Sequence, residues 1–239
     1  MEYDASIILC TINEIENLPI VVKRIEEKVA FSYQFVFVDD GSNDGTREFI
    51  LDYCKSHKNA KYIFNKDKQS TLIAQFTGMK NADGRYFIIL DADLQHPPEK
   101  VQEIFNTLVN GFDIVVASRY LNGAAKAKRN AVRGLISRVA GFLAIVFIKN
   151  ARRTTDPLSG FFGLRRDLKI LINEKWRGYK MLLFILSSNP EATVKDIPYI
   201  FEERVNGHSK VTKGLQFIRI YLTELLLAKK IELANVIKK

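Results

Sequence analysis

A regular alternation of short apolar segments with helical patterns constrains the first 120 residues more than any other feature. The apolar segments, rich in β-branched and aromatic residues, are Ser6–Ile12, Gln34–Asp39, Lys61–Phe64, Arg85–Asp91 and Asp113–Ser118. Between them, helical periodicity covers Ile15–Lys28, Gly45–Ser56, Gln69–Asn81 and Pro97–Asn110. This alternation predicts right-handed β-α-β units, and continuous apolar strands indicate a sheet covered on both faces. We therefore predict an α/β fold with a mainly parallel central sheet flanked by helices.

The pattern changes after residue 120. We predict a basic loop at Asn122–Arg129, a helix over Asn130–Ile148, a loop at Thr154–Gly160 and a strand at Gly160–Leu164. Tyr179–Ser187 fits a buried helix or a strand equally well, Thr193–Phe201 is a further predicted strand, and Lys213–Ile237 is a long helical pattern. Residues 1–210 are therefore predicted to form the main domain, followed by an amphipathic helical segment over 211–239.

The distribution of charge separates the chain into two parts. Residues 1–125 contain 13 lysines and arginines against 18 acidic residues, whereas residues 126–239 contain 23 against 9. An acidic half joined to a basic half indicates two ligands of different character; the basic half suits nucleic acid, anionic lipid head groups or a phosphorylated acceptor. Two cysteines exclude a disulfide framework, and the chain starts without the basic leader of a signal peptide, so a reducing compartment is expected.

Acidic and amide side chains follow three of the predicted strands. Glu14 follows the first, Asp39 and Asp40 end the second, and Asp91, Asp93 and Gln95 follow the fourth. Ligands of open α/β sheets bind beyond the carboxyl ends of the strands, where these groups converge. Asp91, Asp93 and Gln95 form an oxygen-rich corner suited to Mg²⁺ or Mn²⁺. The alternative is that the segment Asp39–Thr46 is only an acidic turn, with Asp44 capping the next helix.

Several motifs occur in order along the chain: Asn13–Asn17 (NEIEN), Val38–Thr46 (VDDGSNDGT), Asp91–Glu99 (DADLQHPPE) and Ala117–Tyr120 (ASRY). Together they resemble the inverting family-two glycosyltransferases. The third motif and Asp156–Phe162 (DPLSGFF) are similar to the dolichol-phosphate mannosyltransferase branch, and the likeness extends from Ser6 to about Lys210.

The resemblance implies a GT-A fold and a set of site residues. It implies that Asp91, Asp93 and Gln95 hold the divalent metal, Mg²⁺ or Mn²⁺. It also implies that Asp91, Asp93 and Arg119 are catalytic, with Arg119 near the donor diphosphate or the active-site loop. Glu14, Asp39 and Asp40 would bind the donor nucleotide. The chain departs from the family at Cys10–Glu14 and Lys68–Leu72, two segments near the nucleotide, so GDP and UDP both remain open as donor nucleotides.

Cationic residues of the basic half are candidates for binding an acceptor phosphate. Arg129, Arg133 and Ser137 are four residues apart and would share one helix face, and Arg204 follows a predicted strand. The fork of an arginine suits phosphate oxygens, and the resemblance implies that these four residues bind a polyprenyl phosphate. The alternative for each arginine alone is a solvated helix surface.

Apolar helices in the second half favour attachment to a membrane surface. Gly141–Ile148 is apolar enough to meet lipid, and Gly214–Leu227 carries apolar residues followed by Lys229 and Lys230. We expect a peripheral protein on the cytoplasmic face of a membrane, although the same helix could pack on the sheet or pair with a partner helix. The resemblance implies that many members of the family carry membrane-spanning helices after the catalytic part, and whether such helices have been lost from this chain stays open.

The leading hypothesis from the sequence is metal-dependent transfer of a hexose, mannose from GDP-mannose, to dolichyl or polyprenyl phosphate with inversion. One alternative keeps the fold and uses UDP-glucose as donor, or a saccharide hydroxyl as acceptor. Another is a non-catalytic module that binds membranes or nucleic acid. Nucleic acid is not expected as a partner, since an acidic rim would repel a polyanion.

Overall fold

The computed structural model describes residues 2–65, 70–121, 131–202 and 214–237 of the chain. The strands are β1 Tyr3–Thr11, β2 Tyr33–Asp39, β3 Ala60–Phe64, β4 Gly84–Asp91, β5 Ile114–Ser118, β6 Phe162–Arg165 and β7 Val194–Pro198. The helices are α1 Leu18–Glu26, α2 Thr46–Ser56, α3 Thr71–Asn81, α4 Lys100–Val109, α5 Ala131–Phe147, α6 Met181–Ser188 and α7 Gly214–Ile237. A 3₁₀ helix at Lys149–Arg153, which the sequence analysis did not predict, follows α5.

The seven strands form one sheet in the order β3-β2-β1-β4-β6-β5-β7. β1 pairs in parallel with both β2 and β4, and β5 pairs in parallel with β7. β6 runs antiparallel to its neighbours β4 and β5. The prediction of a mainly parallel sheet is therefore confirmed, and the direction of β6 is an addition to it.

Helices cover both faces of the sheet, so alternate residues of one strand enter two different cores. On β1, Ile7 and Leu9 pack with α1, α2 and α4, whereas Ile8 packs with α3, α5, α6 and α7. This double coverage explains why the strands are apolar without interruption. The ambiguous segment Tyr179–Ser187 contains α6, all eight residues of which are buried between the sheet and α7.

The C-terminal helix α7 packs on α6 through Tyr221, Leu225 and Ala228, which join the same core as the sheet. Its opposite side is not simply polar, because Ile218, Leu222, Leu226 and Leu233 are exposed there. The amphipathic character predicted from the sequence is thus not confirmed. A separate segment over 211–239 stays a prediction. Among the described residues, no helix combines the length and apolarity needed to span a membrane.

Charged side chains from distant elements form hydrogen bonds with the backbone at both ends of the buried helix α6. At its start, Glu224 Oε1 accepts the backbone N–H groups of Tyr179 and Lys180, at 2.6 and 2.8 Å. At its end, Arg153 donates to the carbonyl oxygens of Leu186 and Asn189, at 2.9 and 3.0 Å. A helix terminus leaves backbone groups without intrahelical partners, and an anion at the start and a cation at the end also suit the helix dipole.

Replacing Arg153 with methionine should destabilise the fold, because the carbonyls at the end of α6 lose their donor within the protein interior. We expect the free energy of unfolding to fall by about 3 kcal/mol, measured by chemical denaturation. The control is Arg152→Met, since Arg152 is exposed, and it should cost about 0.5 kcal/mol or less. Equal losses in the two variants would contradict this account.

Candidate active site

The candidate site lies at the carboxyl edge of the sheet, where the order of the strands reverses. The chain builds β1, β2 and β3 towards one edge and then returns to place β4 on the other side of β1. Such a switch point opens a crevice for ligands. The pairing register places Thr11 beside Asp39 and Cys10 beside Asp91, so the acidic ends of β2 and β4 flank the end of β1.

Hydrogen bonds join the loops that follow β1 and β2. Asn13, in the left-handed region at φ 53°, donates its N–H to Ser42 Oγ at 2.9 Å, and its side-chain oxygen accepts the N–H of Asn43 at 2.9 Å. Glu14 is buried, donates its N–H to Thr46 Oγ1 at 2.8 Å and accepts a bond from Asn17 Nδ2 at 2.8 Å. The two loops therefore form one wall of the crevice, with Glu14 built into it.

Asp39 and Asp40 occupy different environments at the end of β2. Asp39 is fully buried and accepts the backbone N–H and the hydroxyl of Ser42. Asp40 is half-buried, and its carboxylate accepts a bond from Asn65 Nδ2 at 2.9 Å. Burial raises the pKa of Asp40, the bond from Asn65 opposes this, and the nearby charge of Asp39 adds to it.

The alternative interpretation of Asp39–Thr46 as an acidic turn holds for Asp44, and in part for Asp39, which accepts two hydrogen bonds from Ser42 within the turn. Asp44 Oδ1 accepts the backbone N–H of Thr46 at 3.0 Å and its hydroxyl at 2.6 Å, at the start of α2. These hydrogen bonds hold the pKa of Asp44 below its usual value despite partial burial. Asp44 therefore stabilises the start of α2, whereas Asp39 and Asp40 lie at the carboxyl edge of the sheet.

The loop after β4 holds its side chains in a strained turn. Leu94, between Asp93 and Gln95, lies in the left-handed region at φ 62°, which costs an L residue about 1–2 kcal/mol. The turn is held because Leu94 is buried and Asp93 Oδ1 accepts the N–H of Gln95 at 3.1 Å. Strained backbone of this kind concentrates at functional sites.

The side chain of His96 accepts a hydrogen bond from the backbone at the end of β4. The backbone N–H of Asp91 donates to His96 Nδ1 at 3.0 Å, so Nε2 carries the proton of the ring. The ring is buried and stacks on Phe161, with centroids 5.2 Å apart. A Cβ atom on Gly160 would lie 3.4 Å from Asp91 Oδ2, an ordinary contact distance, and the side chain of Asp91 is 42% exposed.

Gln95 links the corner to the end of the described segment after β7. Its side chain donates from Nε2 to the carbonyl of Glu202 at 3.4 Å, and its own carbonyl accepts the N–H of Glu202 at 3.1 Å. Arg204 lies outside the described residues, as does Arg129, and Arg133 lies in α5 without a described side chain.

Arg119, at the end of β5, and Asp156, in the loop before β6, form a buried ion pair. Nε and Nη2 of Arg119 donate to the two carboxylate oxygens of Asp156, both at 2.7 Å, and the backbone N–H of Arg119 donates at 3.2 Å. The side chains are 13% and 1% exposed. Burial acts to lower the pKa of Arg119, but the charge of Asp156 outweighs it and raises this pKa, so the guanidinium stays charged.

Ser137 joins this part of the site through Tyr120. The hydroxyls of Tyr120 and Ser137 lie 3.0 Å apart, and the guanidinium of Arg119 lies 5.3 Å from the centre of the Tyr120 ring. Ser137 is thus the one predicted acceptor residue whose side chain the structure describes, and a single residue, Tyr120, connects it to Arg119.

The model of the family "Glycosyl transferase family 2" matches residues 6–171. The chain belongs to this family. Dolichol-phosphate mannosyltransferase of Pyrococcus furiosus is 34% identical over 207 residues, covering 86% of this chain but 58% of the relative. The Saccharomyces cerevisiae enzyme of the same name is 28% identical over 225 residues, covering 89% of this chain and 82% of the relative. The chain thus spans little more than half of the Pyrococcus protein.

Solved structures share the fold. Glucosyl-3-phosphoglycerate synthase from Mycobacterium tuberculosis, in complex with Mn²⁺, UDP-glucose and phosphoglyceric acid, superposes with a TM-score of 0.69 at 16% identity. The superposition covers 95% of this chain and 80% of that one. The GT-A fold that the resemblance implied is confirmed by such neighbours together with the family match.

The structure adds a cation that the sequence analysis missed. Lys180 is half-buried just before α6, and burial lowers the pKa of its ammonium, as does the positive charge of Arg119. Glu224, Asp156 and Asp91 act in the opposite direction, which places the ammonium among both signs of charge at the crevice. The sequence did contain one indication, because a lysine at the start of a helix is unfavourable with respect to the helix dipole. Such a position requires a compensating interaction elsewhere.

A divalent metal such as the Mn²⁺ in the glucosyl-3-phosphoglycerate synthase complex would find part of its ligand set here. Among the described residues, no group of three or more histidines, cysteines or acidic side chains could hold a metal. Asp91 and Asp93 supply two carboxylates, and Gln95 an amide oxygen. Mg²⁺ commonly binds through one or two carboxylates and takes further oxygens from substrate phosphates and water, so this donor set fits a metal that arrives with a diphosphate.

Breaking the buried pair should cost far more than breaking an exposed one. Asp156→Asn leaves the charge of Arg119 uncompensated in the interior, and we expect the free energy of unfolding to fall by about 3 kcal/mol. Asp167→Asn is the control, because Asp167 pairs with Arg165 at the surface and should cost about 1 kcal/mol or less. Denaturant titration of both variants measures the difference, and equal losses would show that the buried pair has no special role.

Proposed function

We propose that this protein transfers a hexose, mannose from GDP-mannose, to a polyprenyl phosphate such as dolichyl phosphate, with inversion at the anomeric carbon. The observation that carries the proposal is the meeting of two kinds of charge at one crevice. The acidic ends of β2 and β4 flank the end of β1, and the ammonium of Lys180, just before α6, lies within electrostatic reach of Asp91 and of Arg119, which follows β5. A donor diphosphate with its metal and an anionic acceptor need this combination.

On the donor side, Asp91, Asp93 and Gln95 would hold Mg²⁺ or Mn²⁺, and Glu14, Asp39 and Asp40 would bind the nucleotide. When bound, the metal neutralises the charge that develops on the departing diphosphate. Arg119 and Lys180 add positive charge on the other side of the crevice. We assign the catalytic roles to Asp91, Asp93 and Arg119.

On the acceptor side, the reaction requires residues that position the nucleophile rather than a base that removes its proton. A phosphomonoester has a second pKa of about 6, so the nucleophile is already an anion near neutral pH. Ser137 would donate a hydrogen bond to this phosphate, and Arg129, Arg133 and Arg204 would supply its counter-charges. The matching relatives are named dolichol-phosphate mannosyltransferases, which supports this choice of acceptor and of mannose.

Exposed apolar side chains support a lipid acceptor and attachment to a membrane surface. On α5 these are Leu135, Ile136, Val139, Phe142, Val146 and Phe147, and on α7 they are Ile218, Leu222, Leu226 and Leu233. The two helices touch, because Tyr221 Oη donates to the carbonyl of Ala140 at 2.5 Å. Apolar surface of this extent marks a contact site, and we assign it to the interface of the cytoplasmic leaflet.

A donor panel tests the proposal. The protein is incubated with Mn²⁺, dolichyl phosphate and either radiolabelled GDP-mannose or radiolabelled UDP-glucose, and the label that enters organic solvent is counted. Label from GDP-mannose is the expected result. Label from UDP-glucose instead would make the protein a glucosyltransferase, and no lipid-borne label from either donor would overturn the proposal.

Removing either proposed metal-binding carboxylate should abolish metal-dependent transfer and leave the fold intact. We expect Asp91→Ala and Asp93→Ala to lower kcat by about 100-fold or more in the same assay, with cooperative thermal unfolding retained. Asp52→Ala is the control, since Asp52 is exposed on α2 and pairs with Lys55. Full activity of either test variant without added metal would refute the assignment.

Polar substitutions on the exposed apolar side of α5 and α7 should weaken attachment to membranes. We expect Phe142→Ser combined with Leu226→Ser to lower the affinity for vesicles containing anionic lipid by at least about tenfold, measured by co-sedimentation. Val109→Ser removes a comparably exposed side chain from α4 and should change nothing. Failure of the unmodified protein to bind vesicles would exclude this surface as a membrane contact.

A further inference from the structure

We propose that Glu224, in the C-terminal helix, is a positioning residue for Lys180 and thereby part of the donor site. This inference rests on the proposed function, because it assigns Lys180 to the donor diphosphate. Glu224 itself touches neither the rim carboxylates nor Arg119, and it acts through the backbone that carries Lys180.

The contact between Glu224 and this backbone is close. Glu224 Oε1 accepts the N–H groups of both Tyr179 and Lys180, at 2.6 and 2.8 Å. A Cβ atom on Gly178 would lie 2.2 Å from the same oxygen, so only glycine permits the approach. Glu224 is 1% exposed, and its Oε2 accepts no hydrogen bond from the described residues. A buried carboxylate with an unsatisfied oxygen is costly, which indicates a role beyond packing.

The segment Gly178–Lys180 is held from two sides. On the other side α3 contributes, because the N–H of Leu72 donates to the carbonyl of Gly178 at 3.0 Å and the N–H of Gly178 donates to Ser70 Oγ at 3.3 Å. These bonds hold Gly178. Glu224 holds the backbone of the next two residues, and the first turn of α6 holds the carbonyl of Lys180, which accepts the N–H of Leu183 at 3.1 Å.

The charge of Glu224 also acts on the ammonium of Lys180. Arg119 repels this ammonium and burial disfavours it, whereas Glu224 is the first of the groups that favour its charged form. Burial raises the pKa of Glu224 in turn, and the bonds from the Lys180 and Tyr179 backbone oppose this. One carboxylate therefore both orients the lysine and offsets the repulsion from Arg119.

The test compares substitutions of Glu224 with a matched buried carboxylate on the same helix. Glu224→Leu removes both hydrogen bonds, and Glu224→Gln keeps the accepting oxygen and removes the charge. Glu232 is the control, since it is 5% exposed and accepts the N–H of Asn150 at 2.8 Å, a bond that concerns the 3₁₀ helix rather than Lys180. The full chain is assayed for kcat and for donor KM at saturating acceptor, together with its thermal unfolding.

We expect Glu224→Leu to raise donor KM by about tenfold, Glu224→Gln by about threefold or less, and Glu232→Leu not at all, even where it unfolds at a lower temperature. If Glu224→Leu does not fold, Gly178→Ala takes its place, because the added Cβ displaces the carboxylate without removing it, and the same rise is expected. An unchanged KM in the folded variant, or an equal rise in Glu232→Leu, would overturn the inference.

A double-mutant cycle separates positioning from general damage. In a Lys180→Met background, Glu224→Leu should raise donor KM no further, because the group that Glu224 orients is already absent. Additive effects would overturn the inference. The unmodified protein is assayed alongside. If it transfers no sugar from any donor, the proposed function fails. If it transfers sugar normally and the Glu224 variants keep the same donor KM, only the role of Glu224 is contradicted.

Discussion

The buried pair of Arg119 with Asp156 is the interaction on which the arrangement of the crevice depends. Taking either charge out of water alone would cost several kcal/mol, and two parallel hydrogen bonds with a third from the backbone compensate for this. Because Arg119 follows β5 and Asp156 lies in the loop before β6, the pair joins the end of β5 to this loop. It fixes the guanidinium of Arg119 at the carboxyl end of β5.

Helix α6 connects the residues around the crevice to the later part of the basic half, residues 126–239. It contains only buried residues and cannot satisfy its own termini, so Glu224 and Arg153 do so from α7 and from the 3₁₀ helix. The same requirement that stabilises an apolar helix in the core brings a carboxylate next to Lys180. One short segment, Gly178–Lys180, therefore lies between the start of α6 and the carboxylate of Glu224.

Strands and their acidic ends could be predicted because the information is local. The predicted and observed bounds of β2 and β4 differ by one residue at the start and agree at Asp39 and Asp91, since β-branched runs followed by turn residues mark a strand end directly. Parallel pairing then brings these ends together, as the register shows. The direction of β6 and the surroundings of Lys180 had no such local signal. The roles of Arg129, Arg133 and Arg204 concern residues or side chains outside the described part of the chain.

By itself, the sequence determined the class of fold, the carboxyl edge at which the polar side chains gather and the family, because periodicity and motifs are properties of neighbouring residues. Only the tertiary structure decided which distant charges meet. Asp156 lies 37 residues from Arg119, and Glu224 lies 44 residues from Lys180. Contacts of this kind depend on how helices pack on the sheet, and the buried face of α7 was decided by the core it joins rather than by its own hydrophobic pattern.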